Sequence, residues 1–288
     1  MLKQLLFLSL FIFRITELNA QLPDTDLFLF ELDAKNNGVI KSSKNITNRV
    51  GYDNQPSFSL NQKLIYYTAI KEDKQADVYS YKISSSKIKQ LTKTAESEYS
   101  PMEMEFQKMI GTVSVLKDSS QIIRFYDLKT FSLIPTNLDK IDSVGYYTFL
   151  NSDTVIYYKL TEPHSLRFHS LSTEEDKFLA HKPSRTFKPI NRSQIIYGIK
   201  DSTTTNYFVY DFILRKASLY ASINAVCEDI VWHPSKGLCV SKGTKILNYN
   251  SKEQKWVDFY DLSSYGIKKI TRFSFSNSGK YLVLVNNN

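Results

Sequence analysis

Residue types that build catalytic and metal sites are scarce in this chain. Its 288 residues include 2 Cys, 4 His and 9 Gly. The His residues do not form a His-Glu-x-x-His motif, and the two Cys lack the spacing of a zinc site. The glycines form neither a phosphate-binding loop nor the Gly-x-Ser-x-Gly turn of a serine hydrolase. We therefore expect no metal, no other cofactor and no nucleophilic hydrolase chemistry.

Long hydrophobic runs are also missing, except for one near the N-terminus. Leu5–Phe13 is an apolar run preceded by Lys3 and ended by Arg14, and Ala20 offers a small residue for cleavage. A membrane helix needs about 20 apolar residues, so this run is too short to span a bilayer. We predict a cleaved signal peptide over residues 1–20, without a lipoprotein cysteine. With this signal peptide, the protein is periplasmic or secreted and has no transmembrane segment. The alternative is that the run forms a buried element of the domain.

Clustered charge is absent, although the chain is basic. Its formal net charge is +8, but no run of five or six like charges occurs. Nucleic-acid binding usually requires Lys and Arg to be concentrated on one face or along one helix. We therefore expect no nucleic-acid partner.

The two cysteines lie in one predicted hairpin. If Pro234–Gly237 forms its turn, Cys239 faces Val231 rather than Cys227. A disulfide requires two Cβ atoms in close and specific geometry. The sequence therefore favours two separate buried thiols.

A two-part sequence pattern recurs six times along the chain. The first part is an aromatic run, found at Asp26–Leu32, Asp77–Ile83, Ile122–Leu128, Ser165–Leu171, Asn206–Phe212 and Thr244–Asn250. The second is a turn followed by an apolar run, found at Asn61–Ile70, Gln107–Val115, Ser152–Leu160, Ser193–Ile199, Lys236–Val240 and Ser278–Val285. A period of roughly 40–50 residues with several short strands per unit is typical of a β-propeller with one four-stranded blade per repeat.

Each repeat is interpreted as four strands, a to d, from the inside of the ring outward. In the clearest repeat the predicted strands are Gln55–Ser59, Leu64–Ile70, Asp77–Ile83 and Ile88–Thr92. Inner strands occur six times, at the landmark residues Phe58, Glu103, Phe149, Ile190, Trp232 and Phe275. This count predicts an all-β fold, a six-bladed β-propeller that occupies residues 21–288.

The two ends of the chain carry complementary halves of one blade. The domain opens with a c–d pair, Asp26–Leu32 and about Gly38–Thr47, and closes with an a–b pair, Thr271–Ser276 and Lys280–Val285. Pairing of these halves would close the ring and remove exposed sheet edges.

The repeats resemble those of TolB-type propellers, whose pattern is Pro-x-Phe-Ser-Pro-Asp-Gly-Lys before an apolar strand. The matching residues are Pro56, Phe58, Ser59 and Lys63; Trp232, Pro234 and Gly237; and Phe275, Ser276, Gly279 and Lys280. Asn61, Lys236 or Ser278 replaces the Asp of that pattern. The resemblance implies a six-bladed propeller of an exported bacterial protein, typically a protein-interaction module. It does not extend to the additional N-terminal domain of TolB.

Four carboxylates, Glu96, Glu98, Glu103 and Glu105, lie near the start of one inner strand. Paired carboxylates can perform acid–base chemistry or hold a cation. They can equally be solvated residues that line the central channel, and the sequence favours this last interpretation.

Partners of a propeller usually dock where the d–a and b–c loops surround the mouth of the channel, on loops held by a rigid scaffold. The predicted binding residues there are Tyr52, Asp53, Glu96, Glu98, Tyr99, Tyr146, Arg185, Phe187, Glu228, Asp229 and Arg272. Tyr and Arg are enriched among the residues that dominate interfaces. Alternatively, Tyr52, Tyr99 and Tyr146 only fill the junctions between blades.

The sequence leaves two functions open. The first is a non-catalytic module of the cell envelope or exterior that binds a protein or peptide and is monomeric unless assembled with that partner. The second is a carbohydrate binder, or a lyase or glycosidase, that uses carboxylates and aromatic residues in the channel mouth. A deep pocket in which Glu98 or Glu103 faces another acid would favour the second function.

Overall fold

The computed structural model describes residues 22–36, 38–72, 74–105 and 108–287. The predicted signal peptide, residues 1–20, lies outside this part of the chain. No helix among the described residues is long and apolar enough to cross a membrane.

Twenty-four strands make up nearly all regular structure of the described residues. In chain order they are β1 (Thr25–Asp33), β2 (Val39–Asn45), β3 (Tyr52–Phe58), β4 (Leu64–Ile70), β5 (Ala76–Lys82), β6 (Lys87–Gln90), β7 (Ser97–Glu103), β8 (Met109–Val115), β9 (Gln121–Asp127), β10 (Leu133–Ile134), β11 (Val144–Phe149), β12 (Thr154–Lys159), β13 (Ser165–Ser170), β14 (Asp176–His181), β15 (Pro183–Asn191), β16 (Gln194–Lys200), β17 (Thr205–Asp211), β18 (Lys216–Ile223), β19 (Ile230–His233), β20 (Gly237–Lys242), β21 (Lys245–Asn250), β22 (Lys255–Asp261), β23 (Ile270–Phe275) and β24 (Tyr281–Asn287). Two short 3-10 helices lie at Asn137–Lys140 and Ser263–Tyr265.

Four of the sheets are separate antiparallel meanders of four strands each: β7–β10, β11–β14, β15–β18 and β19–β22. The remaining eight strands form one sheet. Within it, β23, β24, β1 and β2 pair in that order, and β3 to β6 form a second four-stranded meander. One parallel residue pair, Thr25 with Tyr52, joins these two halves.

The composition of each strand fits its place in the sheet. The second strand of a meander, such as β4 with the sequence LIYYTAI, is buried over nearly its whole length. β-Branched and aromatic residues suit such positions. The outer strands β2 and β6, with the sequences VIKSSKN and KIKQ, are mostly exposed and rich in Lys. Charged side chains on an edge strand discourage pairing with another chain.

The repeated turn motif has a simple hydrogen-bond basis. The hydroxyl of Ser59 accepts the amide of Leu64 at 2.9 Å, and that of Ser276 accepts the amide of Tyr281 at 3.0 Å. The Asn61 side chain accepts the Lys63 amide at 3.0 Å. Side-chain oxygens that accept nearby amides stabilise such turns.

Six clusters of buried apolar side chains hold the sheets face to face. Each cluster combines residues from two successive sets of four strands. The cluster that joins the β23–β24–β1–β2 set to the β3–β6 set contains Leu27, Leu29 and Val283 from the first and Ile65 and Tyr79 from the second.

Both cysteines are buried and unbonded, and Cys239 pairs with Val231. The predicted pairing of Cys239 with Val231 is therefore confirmed, whereas Cys227 lies before β19, outside the hairpin. All six landmark residues also lie within the first strand of their set, namely β3, β7, β11, β15, β19 and β23. We call these six strands the inner strands.

Candidate binding site

The inner strands are interrupted by β-bulges. The pairing register shifts between Asn54 and Ser57 in β3 and between Tyr99 and Met102 in β7. Similar shifts occur in β11, β15 and β23. A bulge disrupts the ladder locally and can re-aim a side chain.

Proline stands at the bulge in two of these strands. Gln55 and Ser100 have φ angles of 56° and 51°, and each precedes a proline, Pro56 or Pro101. Proline has no N–H to donate to the ladder, so a bulge tolerates it where a regular pairing would not.

The bulges correct one sequence prediction. Eight of the eleven predicted binding residues lie within inner strands rather than in loops, and only Glu96, Glu228 and Asp229 lie outside strands. The predicted strand began at Gln55, with Tyr52 and Asp53 in the loop before it. The bulge allows the strand to begin at Tyr52 instead.

Side chains from the inner strands line a cavity that is open to solvent. We call it the inner-strand cavity. Strands β3, β7, β11, β15 and β23 all contribute to its wall, and Asp229, directly before β19, contributes a carboxylate. The main-chain bulges therefore face a common space.

Five of the predicted residues converge near the N-terminal ends of the inner strands: Tyr52, Tyr99, Tyr146, Arg185 and Arg272. We call them the Arg–Tyr cluster. Tyr52 is the first residue of β3, and the other four are each the third residue of their strand. Arg272 donates from Nη2 to the Tyr146 hydroxyl at 3.2 Å, and its Cζ lies 5.1 Å from the centre of that ring. A guanidinium over a tyrosine face is an attractive cation–π arrangement.

Electrostatics supports this convergence. Burial raises the pKa of Tyr52 to about 12, while the charges of Arg272 and Arg185 oppose the shift. The hydroxyls of Tyr146 and Tyr99 lie close enough to raise the pKa of Tyr52 further. Arg185 donates from Nη2 to the carbonyl of Thr271, which precedes Arg272. The five side chains thus form one interacting group.

Hydrogen bonds between successive inner strands fix the wall of the cavity. Ser57 donates from Oγ to the Pro101 carbonyl at 2.6 Å. The Thr186 hydroxyl donates to the Glu228 carbonyl at 3.0 Å and accepts the Ile230 amide at 2.8 Å. The Asp229 carboxylate accepts the Phe273 amide at 2.9 Å. Side chains on such a wall are positioned before any ligand arrives.

The remaining predicted residues do not join the Arg–Tyr cluster. Asp53 is fully buried and pairs with Arg49 at 2.7 Å; burial raises its pKa to about 6 although Arg49 opposes this. Phe187 is only 3% exposed and packs into the core beside the cavity. Ion pairs to neighbouring strands hold the two outlying carboxylates, Glu96 with Arg124 at 3.7 Å and Glu228 with Lys200.

The four carboxylates near the start of β7 are dispersed. Glu98 is fully buried, whereas Glu105 is exposed. Glu103 accepts the Leu60 amide at 3.1 Å. The expected solvated lining of the channel by these residues is therefore wrong for Glu98, whose side chain lies between sheets. In the part of the chain that the structure describes, no three His, Cys, Asp or Glu side chains are grouped to hold a metal ion.

Sequence reasoning missed Lys188, which lines the cavity together with Gln55 and Ser100. Burial lowers the pKa of Lys188, Asp229 opposes that shift, and Arg272 adds to it. A signal was present: Gln55, Ser100 and Lys188 each precede a proline in an inner strand. The X-Pro pairs therefore indicate residues that face the cavity.

A scan against family models matches none, and a search of curated proteins gives no significant relative. Solved structures do match. A TolB of Agrobacterium tumefaciens superposes with a TM-score of 0.66 at 7% identity over 92% of this chain and 99% of its own. The chain has a β-propeller fold. A structure from a nidogen–laminin complex gives a TM-score of 0.63 at 9% identity over 91% and 98% of the two chains. TolB from Acinetobacter baumannii gives 0.57 at 9% identity over 91% of this chain and 63% of its own.

Proposed function

We propose that the propeller has six blades and that its N-terminal strands close the ring. Six hydrophobic clusters, one for each junction between successive four-strand sets, support the count. The eight-stranded sheet then represents two blades joined through the Thr25–Tyr52 pair. Closure is supported by seven consecutive residue pairs between β1 and β24.

We further propose that the protein is an exported, non-catalytic module that binds a protein or peptide at the mouth of the inner-strand cavity. The convergence of Tyr52, Tyr99, Tyr146, Arg185 and Arg272, all half-buried, carries this proposal, because Tyr and Arg are enriched among the residues that dominate protein interfaces. Export rests on the predicted signal peptide over residues 1–20, with a location in the periplasm or outside the cell. Residues 21–288 form the single binding domain, which is monomeric until it meets its partner.

The carbohydrate-active alternative receives less support. A glycosidase-type site requires two carboxyl groups facing each other across a substrate. Asp229 is the one carboxylate that lines the inner-strand cavity in the described part of the chain.

Binding of a partner at the mouth of the inner-strand cavity can be tested by crosslinking and pull-down from the native cell envelope. We expect Tyr99→Ala and Arg185→Ala each to weaken partner binding by more than about 1 kcal/mol, as removal of an interface anchor does. The matched controls are Lys63→Ala and Lys236→Ala, because both residues are exposed in turns at the other end of inner strands. Binding is compared at equal folded fractions. Loss of binding in the controls alone would place the site on the opposite face.

A further inference from the structure

Positive charge dominates the inner-strand cavity. Arg185, Lys188 and Arg272 line it, against the one carboxylate of Asp229. Among the described residues, none of the three cations has a carboxylate oxygen within the 4.0 Å of an ion pair. Lys200 and Arg124, by contrast, pair with Glu228 and Glu96. The cavity therefore contains three cations, and Asp229 is the one carboxylate among the described lining residues that balances them.

The donors of these cations are only partly used. Arg185 directs Nη2 to the Thr271 carbonyl, but its buried Nε has no hydrogen-bond partner among the described residues. Arg272 uses Nη2 on the Tyr146 hydroxyl. A guanidinium carries five N–H donors, so both arginines retain free capacity. A buried donor without a partner is destabilising, and a ligand oxygen would relieve this.

The wall of the cavity strengthens the attraction for an anion. A cleft lined by one sign of charge focuses its field, and a low-dielectric surrounding weakens solvent screening. Burial lowers the pKa of Lys188, and the nearby Arg272 charge lowers it further, while Asp229 opposes both. A second negative group would favour the charged form of Lys188 in the same way as Asp229.

We propose that the inner-strand cavity binds a carboxylate of an acidic peptide segment, with Arg185, Lys188 and Arg272 as the hydrogen-bond donors. This rests on the proposed function as a peptide-binding module. An arginine fork matches a carboxylate in a bidentate geometry. The tyrosine rings of the Arg–Tyr cluster provide flat apolar surface beside the cations, which suits the rest of a peptide chain better than a free inorganic ion.

Fluorescence anisotropy with labelled hexaglutamate tests this directly, and hexaglutamine of the same length is the neutral control. We expect hexaglutamate to bind the full chain at least tenfold more tightly and to lose affinity as salt is added, since exposed charge attraction is screened. Lys188→Gln should weaken hexaglutamate binding about tenfold, and Lys188→Arg should restore it. Because the Lys188 amine has no hydrogen-bond or ion-pair partner among the described residues, the fold should tolerate both changes. Lys245→Gln, which removes a cation paired with Asp258 on the outer strands, should have no effect.

Equal binding of the two peptides, or full hexaglutamate binding to Lys188→Gln, would overturn the proposal. Inorganic phosphate that displaces hexaglutamate at equal or lower concentration, when acetate does not, would reassign the cavity to phosphate groups and also overturn it. If Lys188→Gln fails to fold, chemical-shift changes of the wild-type Arg side-chain N–H groups on hexaglutamate addition replace it as the readout. Loss of native partner binding by Tyr99→Ala without any hexaglutamate binding would leave the proposed function intact and remove only the carboxylate site.

Discussion

Deletion of residues 22–48 is expected to abolish cooperative folding. This segment contains β1, which pairs with β24 through seven residues and with β2 on its other side. Leu27 and Phe30 are fully buried, and Leu29 and Leu32 nearly so. Burial of each such side chain contributes about 1.5–3 kcal/mol. Together they approach the whole stability of a typical domain, about 5–15 kcal/mol.

The deletion would also expose the edge of β24 that pairs with β1 in the intact chain. Leu282, Val283, Leu284 and Val285 of β24 are all fully buried in the intact chain. A long apolar edge strand without a partner is a site of aggregation. We therefore expect size-exclusion chromatography to show aggregates in place of the monomer peak.

Point variants separate loss of packing from loss of the chain segment. Phe30→Ala should lower the free energy of unfolding by about 3–5 kcal/mol, as for other buried aromatic truncations. Val39→Ala in β2 is the matched control, because Val39 is 54% exposed and should change stability by no more than about 0.5 kcal/mol. A soluble deletion variant with the wild-type denaturation midpoint would contradict ring closure by β1.

Much of the fold could be predicted because the repeat encodes it locally. The predicted strand Leu64–Ile70 matches β4 at both ends, since its apolar and aromatic run is bounded by turn residues. The inner strands were less predictable. Their bulges contain Pro56 and Pro101, which interrupt regular pairing, and the predicted start of β3 at Gln55 lies after its observed start at Tyr52.

The residues of the candidate site also differ in how well the sequence placed them. Tyr99, Tyr146, Arg185 and Arg272 were predicted because they were placed in the d–a loops and because Tyr and Arg are enriched at interfaces. Glu98 and Asp53 were predicted as surface residues, yet both are fully buried. Their burial depends on neighbouring sheets, which no local pattern reveals.

Glu98 has an environment that disfavours its charge. Its Oε1 accepts hydrogen bonds from Thr94 and, at 3.2 Å, from the Tyr126 hydroxyl. Its buried Oε2 has no hydrogen-bond partner among the described residues. The Thr92 hydroxyl lies nearby but donates to Asp77 at 3.4 Å. Burial raises the pKa of Glu98 to about 7, and the Asp77 charge adds to the shift against the hydrogen bonds.

Stability should therefore fall as the pH rises through this range. Below about pH 4.5, the ordinary pKa of a Glu carboxyl, Glu98 is protonated in both the folded and the unfolded state and its ionisation does not change the free energy of unfolding. Between that value and about 7, the folded protein binds a proton that the unfolded chain has lost, so unfolding becomes easier with rising pH. Each pKa unit corresponds to about 1.4 kcal/mol, so the full effect is roughly 3 kcal/mol.

Glu98→Gln should remove this dependence, because the amide resembles the neutral carboxyl. We expect the variant to gain roughly 3 kcal/mol of stability relative to the wild type between pH 4 and pH 8, from the same linkage. The quantity to measure, by urea unfolding at each pH, is the difference in the free energy of unfolding between Glu98→Gln and the wild type. Asp53, with a raised pKa of about 6, and His233, whose pKa burial lowers to about 4, change the stability of both proteins equally. Glu105→Gln is the control at an exposed position, and its stability difference from the wild type should not change with pH. A flat difference for Glu98→Gln as well would show that Glu98 ionises freely in the folded protein.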